Sequence, residues 1–227
     1  MLKIDVKTAD RANYGNARNT DIIRYIVIHY TANDGDTAAA NASYFQSRIV
    51  QASAHYFVDD GGVYQSVPDN FIAWSVGGDK YPSAAQTGGG KWYGKCKNSN
   101  SISVELCDTK RNGKSDFTEA TMANAAELVR SLMKKYNVPI ENVIRHFDVV
   151  GKICPKPFVE DPTAWKKFKE GLVDEVVEKG KIIVNGKECE VDMSRKGGTT
   201  YVKTRDIAEV LGLKVESKGK VPVLDVK

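Results

Sequence analysis

The chain has 227 residues and a formal net charge of +4, and 41% of its residues are hydrophobic against 27% charged. This composition is typical of a soluble globular protein with one sizeable domain and room for a small second one. The positive charge is too weak for a nucleic-acid-binding surface, so we expect no nucleic-acid partner.

The sequence predicts neither a membrane span nor an export signal. No apolar run approaches the roughly 18 residues of a membrane span, so we expect no membrane insertion. Residues 1–6 lack the apolar core of a signal peptide, and we expect synthesis in the cytoplasm without a signal of that kind. The four cysteines form no CxxC pair, and disulfides are not expected in such a chain.

The first half of the chain predicts strands that end in histidines. Residues 25–30 form a buried apolar run that ends at His29, at the kind of strand end where sites form in α/β sheets. For a single histidine, a ligand role and a structural role are about equally plausible. A helix over 38–49 follows, and then a hairpin of strands 53–58 and 63–67. His55 lies in the first of these strands and is either a further ligand or a histidine near the cleft, with the second interpretation favoured.

The middle of the chain carries candidate groove residues and a candidate base. Trp74 and Trp92 lie in a loop-rich stretch, where they either line a binding groove or close the core. Residues 101–107 alternate as a strand with Glu105 at its centre. A carboxylate there is costly unless paired or functional, so we interpret Glu105 as a general base ahead of an ion-pair partner.

A third region places three candidate functional side chains within nine residues. After a helix to about residue 136, the segment 145–155 is predicted as a loop that holds His146, Lys152 and Cys154. A helix capped by Asp161 and begun by Pro162 comes next, and Gly180 is interpreted as a boundary.

The tail has its own pattern. It predicts a hairpin with an Asn-Gly turn at 185–186, a strand near 199–202, a short helix over 204–211 and closing strands. Some fifty residues make a marginal domain on their own.

Together these residues describe a metal-assisted amide hydrolase. His29, His146 and Cys154 supply three zinc ligands, which leaves one tetrahedral position for water. Glu105 accepts the proton of that water, and Lys152 stabilises the oxyanion.

In these motifs, residues 1 to about 175 resemble the type-2 family of zinc-dependent N-acetylmuramoyl-L-alanine amidases, which share a fold with bacteriophage T7 lysozyme and the peptidoglycan recognition proteins. The matching stretches are 25–31, 53–56, 100–106, 146–148 and 152–155. The resemblance implies an α/β fold, with a mixed, mostly parallel sheet flanked by helices and a small α+β C-terminal module. It also implies one zinc ion per chain, bacterial peptidoglycan as the partner, and cleavage between muramic acid and the L-alanine of the stem peptide.

Two positions depart from the family pattern. Ser75 stands where many relatives carry a histidine, which affects a local substrate contact. Ala54 stands where the phage lysozyme carries a catalytic tyrosine, which places this chain in the glutamate-dependent branch.

The tail, residues 181–227, resembles the small module named after the copper amine oxidase N-terminal domain. We expect it to target the wall, with anionic wall polymers as a possible ligand, or to self-associate. A catalytic domain over 1–175 with such a tail is similar to a phage endolysin, which waits in the cytoplasm and acts on the wall after release.

Two alternatives remain at this point. The first is a non-catalytic peptidoglycan-binding protein of the recognition type, which is disfavoured because such proteins lose the cysteine ligand and Cys154 is present. The second is a closed structural zinc site in which His55 is the fourth ligand and Glu105 has no role.

Overall fold

The computed structural model describes residues 2–77, 87–173, 178–196, 199–219 and 221–226. The chain divides into two compact units, residues 1–173 and 174–227.

A six-stranded sheet forms the centre of the first unit. Its strands lie in the order β1-β5-β4-β7-β3-β10, and only the β4–β5 pair is antiparallel. The strand bounds are β1 Ile4–Val6, β3 Tyr25–Tyr30, β4 Tyr56–Asp59, β5 Gly62–Gln65, β7 Ser101–Leu106 and β10 Val143–Arg145. The expected mixed, mostly parallel sheet is confirmed.

One face of this sheet packs against three helices. They are α2 Glu119–Tyr136, α4 Lys156–Glu160 and α5 Pro162–Glu170. The even-numbered strand residues Ile102, Val104 and Leu106 contact the apolar stripe of α2 in the main core. Burial of this stripe holds α2 in place, since isolated helices gain little from propensity alone. Thr118 begins α2 by accepting the backbone N–H of Thr121.

The other face of the sheet carries the polar residues of β3 and β7. Two helices lie on this side of the sheet. Helix α1 Ala38–Ser47 packs over β4 and β5, and α3 His146–Val150 follows β10. A small apolar cluster of Val27, Val76, Ile144 and Val149 closes the sheet near α3. The face between these two helices is where the candidate residues meet.

Two short antiparallel pairs complete the first unit. They are β2 Tyr14–Ala17 with β6 Phe71–Ala73, and β8 Thr109–Arg111 with β9 Lys114–Asp116. Within the described ranges, no helix has the length and apolar character needed to cross a membrane.

The second unit is α+β. The strands β11 Glu178–Val184, β12 Lys187–Lys196 and β13 Thr199–Val202 form an antiparallel sheet, and α6 Thr204–Val210 leads to the pair β14 Leu213–Lys218 and β15 Val221–Val226. The predicted Asn-Gly turn is confirmed, because Asn185 and Gly186 both have positive φ, as the turn of a two-residue hairpin requires.

Several predicted bounds are wrong in detail. Helix α1 ends at Ser47 and not at residue 49, and β4 begins at Tyr56 and not at residue 53. The segment after β10 is not wholly a loop, because its first five residues form α3. Gly180 is not a break: it lies inside β11, where a Cβ would stand 2.5 Å from Met193, so close packing explains the glycine.

Candidate functional site

The site begins with two side chains on neighbouring parallel strands. His29 of β3 and Glu105 of β7 are register partners, so their side chains leave the same face of the sheet side by side. Nδ1 of His29 lies 3.9 Å from Oε1 of Glu105. The candidate base therefore stands directly beside the first candidate ligand.

Strand β10 brings the second histidine to the same level. Arg145 pairs with Ile28, so the next residue, His146, follows at the height of His29. The centres of the two imidazole rings are 4.6 Å apart. Asp148 stabilises the junction of β10 and α3. Its carboxylate accepts from the backbone N–H of Arg145 at 2.8 Å and from the Arg145 guanidinium.

Helix α3 then returns the chain to deliver Cys154. Gly151 ends the helix with φ 76°, a left-handed conformation that suits glycine. The backbone N–H of Phe147 donates to the Cys154 carbonyl at 2.8 Å, which closes the loop. Sγ of Cys154 lies 3.8 Å from Nδ1 of His29.

These three side chains form a cluster with the composition of a metal site. The ligand atoms of His29, His146 and Cys154 all lie within 4.8 Å of one another, and all three residues are buried. In the described chain, four buried side-chain polar atoms lack a hydrogen-bond partner, and three of them are Nε2 of His29, Nδ1 of His146 and Oε2 of Glu105. Buried polar atoms are normally paired, so this concentration points to a missing ligand. Two imidazoles and a thiolate fit a zinc ion.

Burial sets the protonation states of the two histidines. It lowers the pKa of His146 to about 4, with the charge of Lys152 acting in the same direction. The pKa of His29 is also held well below its usual value, by burial first and then by His146 and Lys152. Both imidazoles are therefore neutral at neutral pH, which is the form that binds a metal.

Glu105 experiences opposing influences. Burial raises the pKa of its carboxyl to about 8, the positive charge of Lys152 lowers it, and the carboxylates of Asp36 and Asp108 raise it. Lys152 is itself exposed, on the chain between α3 and Cys154. The basic side chain is thus near enough to the cluster to act on the charge of Glu105 and the histidines.

His55 is not a member of the cluster. It is fully buried, and its Nδ1 accepts the backbone N–H of Ser103 at 3.0 Å. Its Nε2 lies 3.2 Å from the Phe71 carbonyl and 2.9 Å from Nη2 of Arg18. His55 is not among the three clustered ligands, and its contact with a substrate stays a prediction.

The two tryptophans lie in different surroundings. Trp74 is 36% exposed, and its backbone pairs with Ser53. Trp92 is half-buried and meets the ring of Tyr25 edge to face at 5.4 Å, with Lys91 and Lys95 over its own ring. A role for either in substrate binding stays a prediction.

Sequence reasoning missed the backbone carbonyl of Val76, which lies 3.1 Å from Nε2 of His146. It also missed Asp108, whose carboxylate accepts from the Asn33 backbone at 3.0 Å and from the Thr31 hydroxyl, and so shapes the loop after β3. A carbonyl has no sequence signature. Asp108 could have been found, because it follows the end of a strand that carries the candidate base.

Comparison with known proteins adds a consistent set of relatives. The family profile described as N-acetylmuramoyl-L-alanine amidase matches residues 18–157. The chain is 35% identical over 156 residues to the N-acetylmuramoyl-L-alanine amidase CwlL of Bacillus licheniformis, and 35% identical over 150 residues to XlyA of Bacillus subtilis. The matched part is 65% of this chain in both cases, and only 40% and 43% of those relatives, so the chain spans about two fifths of their length.

Solved structures match about three quarters of the chain. A mutant endolysin from Bacillus subtilis has a TM-score of 0.59 at 32% identity, covering 76% of this chain and 100% of that one. The structure of PlyL has a TM-score of 0.60 at 30% identity, covering 76% of this chain and 98% of that one. The family match ends at residue 157, so the resemblance of the tail to a copper amine oxidase module stays a prediction.

Proposed function

The chain belongs to the N-acetylmuramoyl-L-alanine amidase family, and from that premise we propose that it hydrolyses the amide bond between N-acetylmuramic acid and L-alanine in bacterial peptidoglycan. The observation that supports this best is the cluster of His29, His146 and Cys154 beside Glu105. It combines a metal-binding donor set with a carboxylate of raised pKa, which is the equipment that hydrolysis of an unactivated amide needs.

His29, His146 and Cys154 would hold a single zinc ion. When bound, zinc supplies Lewis acidity toward the scissile carbonyl and lowers the pKa of a water at the open position. Both histidines are neutral, so they bind without losing a proton, whereas burial raises the pKa of the Cys154 thiol to about 12 and its proton must leave on binding.

Glu105 carries the proton in this proposal. Its carboxylate takes a proton from the attacking water and returns it to the nitrogen of the leaving L-alanine. Its raised pKa suits both steps, because a group that titrates near the working pH can accept and donate. Its position beside His29 keeps the proton-transfer group next to the cluster.

Lys152 stabilises negative charge that develops on the carbonyl oxygen. Its side chain is exposed, while its charge acts on Glu105, His146 and Cys154. A flexible cation at the rim of a buried cluster can follow the oxygen as charge develops there. The non-catalytic binding alternative is not favoured, since the relatives are named as amidases and Cys154 is kept in the cluster.

The test is metal content together with wall hydrolysis. We expect purified full-length chain to bind one zinc ion and to release dye from labelled cell walls, and a chelator to abolish the release. Cys154→Ser should lose most of the zinc, because a hydroxyl is a poor substitute for a thiolate ligand.

Cys189→Ser is the matched control. Cys189 is half-buried in the second unit and outside the cluster, so this variant should keep both zinc and activity. Full zinc retention by Cys154→Ser would refute the ligand assignment, and chelator-resistant hydrolysis would refute the zinc mechanism.

A further inference from the structure

We propose that Asn98 is a positioning residue for the metal centre, which acts on His146 through the backbone carbonyl of Val76. The inference rests on the proposed zinc function and extends it to a residue outside the ligand cluster. The effect of Asn98 on His146 passes through one short backbone segment, residues 75 and 76.

The first step is a pair of hydrogen bonds between Asn98 and that segment. Its Oδ1 accepts two consecutive backbone N–H groups, from Ser75 at 3.2 Å and from Val76 at 2.8 Å. Two adjacent peptide groups bound to a single oxygen have little freedom to rotate. These bonds hold the backbone of Val76 up to its Cα, and the Val76 carbonyl extends from that held point.

The second step is the bond from this carbonyl to His146. The Val76 side chain is fully buried in the cluster with Val27, Ile144 and Val149, so the residue cannot turn outward without losing that packing. Its carbonyl lies 3.1 Å from Nε2 of His146. Because a carbonyl only accepts, Nε2 carries the proton and Nδ1 keeps its lone pair.

The tautomer matters because Nδ1 is the atom without a partner. Nδ1 of His146 is buried and unpaired, and His146 belongs to the cluster with His29 and Cys154. A ligating histidine needs its other nitrogen held by an acceptor, which sets the ring orientation and raises its basicity. The Val76 carbonyl is that acceptor, and Asn98 keeps it in place.

Asn98 is itself anchored. Nη1 of Arg18 donates to the Asn98 carbonyl at 3.1 Å, and also to the carbonyls of Ser99 and Ser101 at 3.0 and 2.8 Å. Burial lowers the pKa of Arg18 to about 10, so its guanidinium is still charged at neutral pH and these bonds are charge-assisted. The residue that fixes residues 75 and 76 is thus tied to the start of β7, the strand of Glu105.

The experiment compares three variants of the full chain by zinc affinity, measured in competition with a chelator. Asn98→Ala removes the acceptor, and we expect its affinity for zinc to fall by about 10–100-fold, as for other residues that support a ligand. Asn98→Asp keeps an oxygen at the same place, and both bonds use only Oδ1, so it should retain most of the affinity.

Asn100→Ala is the matched control for loss of structure. Asn100 lies in the same short turn, where its side chain bonds to the backbone of Lys95 and Lys97 and not to residues 75 and 76. We expect this variant to lose thermal stability without losing zinc affinity. Equal losses of affinity in Asn98→Ala and Asn100→Ala, or a loss in Asn98→Asp as large as in Asn98→Ala, would overturn the proposal.

A second readout needs neither zinc nor activity. The chain has only three histidines, so the ¹⁵N signals of the imidazoles can be assigned in the metal-free protein. We expect His146 to be the Nε2–H tautomer in the wild type and in Asn98→Asp, and a mixture of tautomers in Asn98→Ala. A wild-type Nδ1–H tautomer would overturn the proposal even if Asn98→Ala fails to fold. Absence of zinc binding by the wild type would instead refute the proposed function, while the tautomer still tests Asn98.

Discussion

At the residue scale, Glu105, the proposed base, owes its surroundings to its position on a strand. It lies near the end of β7, between buried neighbours, with its side chain on the polar face of the sheet. Its register partner is His29, and its Oε2 has no partner among the described residues. A carboxyl group buried in such a place lowers the stability of the fold. The proposed role in proton transfer accounts for its presence there.

The prediction at this scale concerns Glu105→Gln. The substitution keeps the shape of the side chain and removes its ability to take a proton. We expect kcat/KM on soluble peptidoglycan fragments to fall by about 10²–10⁴-fold, with zinc content and the thermal midpoint preserved. Glu127→Gln, an exposed change on α2, is the control and should behave as wild type. Turnover of Glu105→Gln at the normal rate would mean that another group is the base.

Among the elements, the loop over residues 87–95 and helix α3 depend on one another. The backbone N–H groups of Gly90 and Trp92 donate to the carbonyls of Phe147 and Asp148 at 3.1 and 2.8 Å, and the Thr87 hydroxyl donates to the Gly151 carbonyl at 2.8 Å. They are carbonyls of α3 and of its C-terminal glycine, and so short a helix has few internal partners for them. The loop therefore stabilises the helix that begins with His146.

Gly89 is the position where this packing can be tested. A Cβ added there would lie 2.4 Å from the Phe147 carbonyl oxygen and 2.8 Å from Cα of Gly151, which are backbone atoms. We expect Gly89→Ala to destabilise the first unit by about 1–3 kcal/mol in thermal or urea unfolding, because the loop must move off α3. In Gly61→Ala the nearest atom is a side-chain oxygen of Asp59 at 3.3 Å, so that variant should change stability less. Equal stability of the two variants would show that the loop does not pack closely against α3.

The elements also show what a sequence can and cannot predict. The alternation of β7 places its apolar residues on the face that packs against the apolar stripe of α2, and both patterns are found as expected. The sequence predicts a loop where α3 forms, because five residues are too few for a periodic pattern. It also predicts a boundary at Gly180, since a glycine that makes room for Met193 and one that separates two elements look the same in the sequence. The bond from His146 to the Val76 carbonyl depends on tertiary contact alone.

On the scale of the whole molecule, the chain consists of two units whose buried cores differ in size. The first holds the sheet, its two flanking layers and the candidate site. In the described part of the second, the buried side chains are few, namely Val191, Met193, Ser194 and Ala208. So small a core supplies little stability, and such a unit commonly gains more by binding or by pairing.

The prediction for the whole molecule is that the second unit is separable and carries no chemistry. A chain ending at residue 173 should fold, bind zinc and cleave soluble peptidoglycan fragments at the rate of the full chain. On intact cells it should be slower, because a wall-binding or self-associating unit raises the local concentration of enzyme at an insoluble substrate.

The second unit alone provides the complementary measurement. It should sediment with purified walls or run as an oligomer on a sizing column. If the chain ending at residue 173 is unfolded, or inactive on soluble fragments, the second unit is part of the catalytic fold and the proposed division is wrong.

The register that joins His29 to Glu105 also has a consequence for biosynthesis. The three clustered ligands and the proposed base come from β3, β7 and the segment after β10, and they meet only when these parallel strands are paired. Parallel pairing joins residues far apart in the chain and forms late in folding. A ribosome-bound chain that has not yet released residue 154 lacks the thiol of the cluster altogether. The proposed activity therefore cannot appear before the first unit has left the ribosome and its parallel strands have paired.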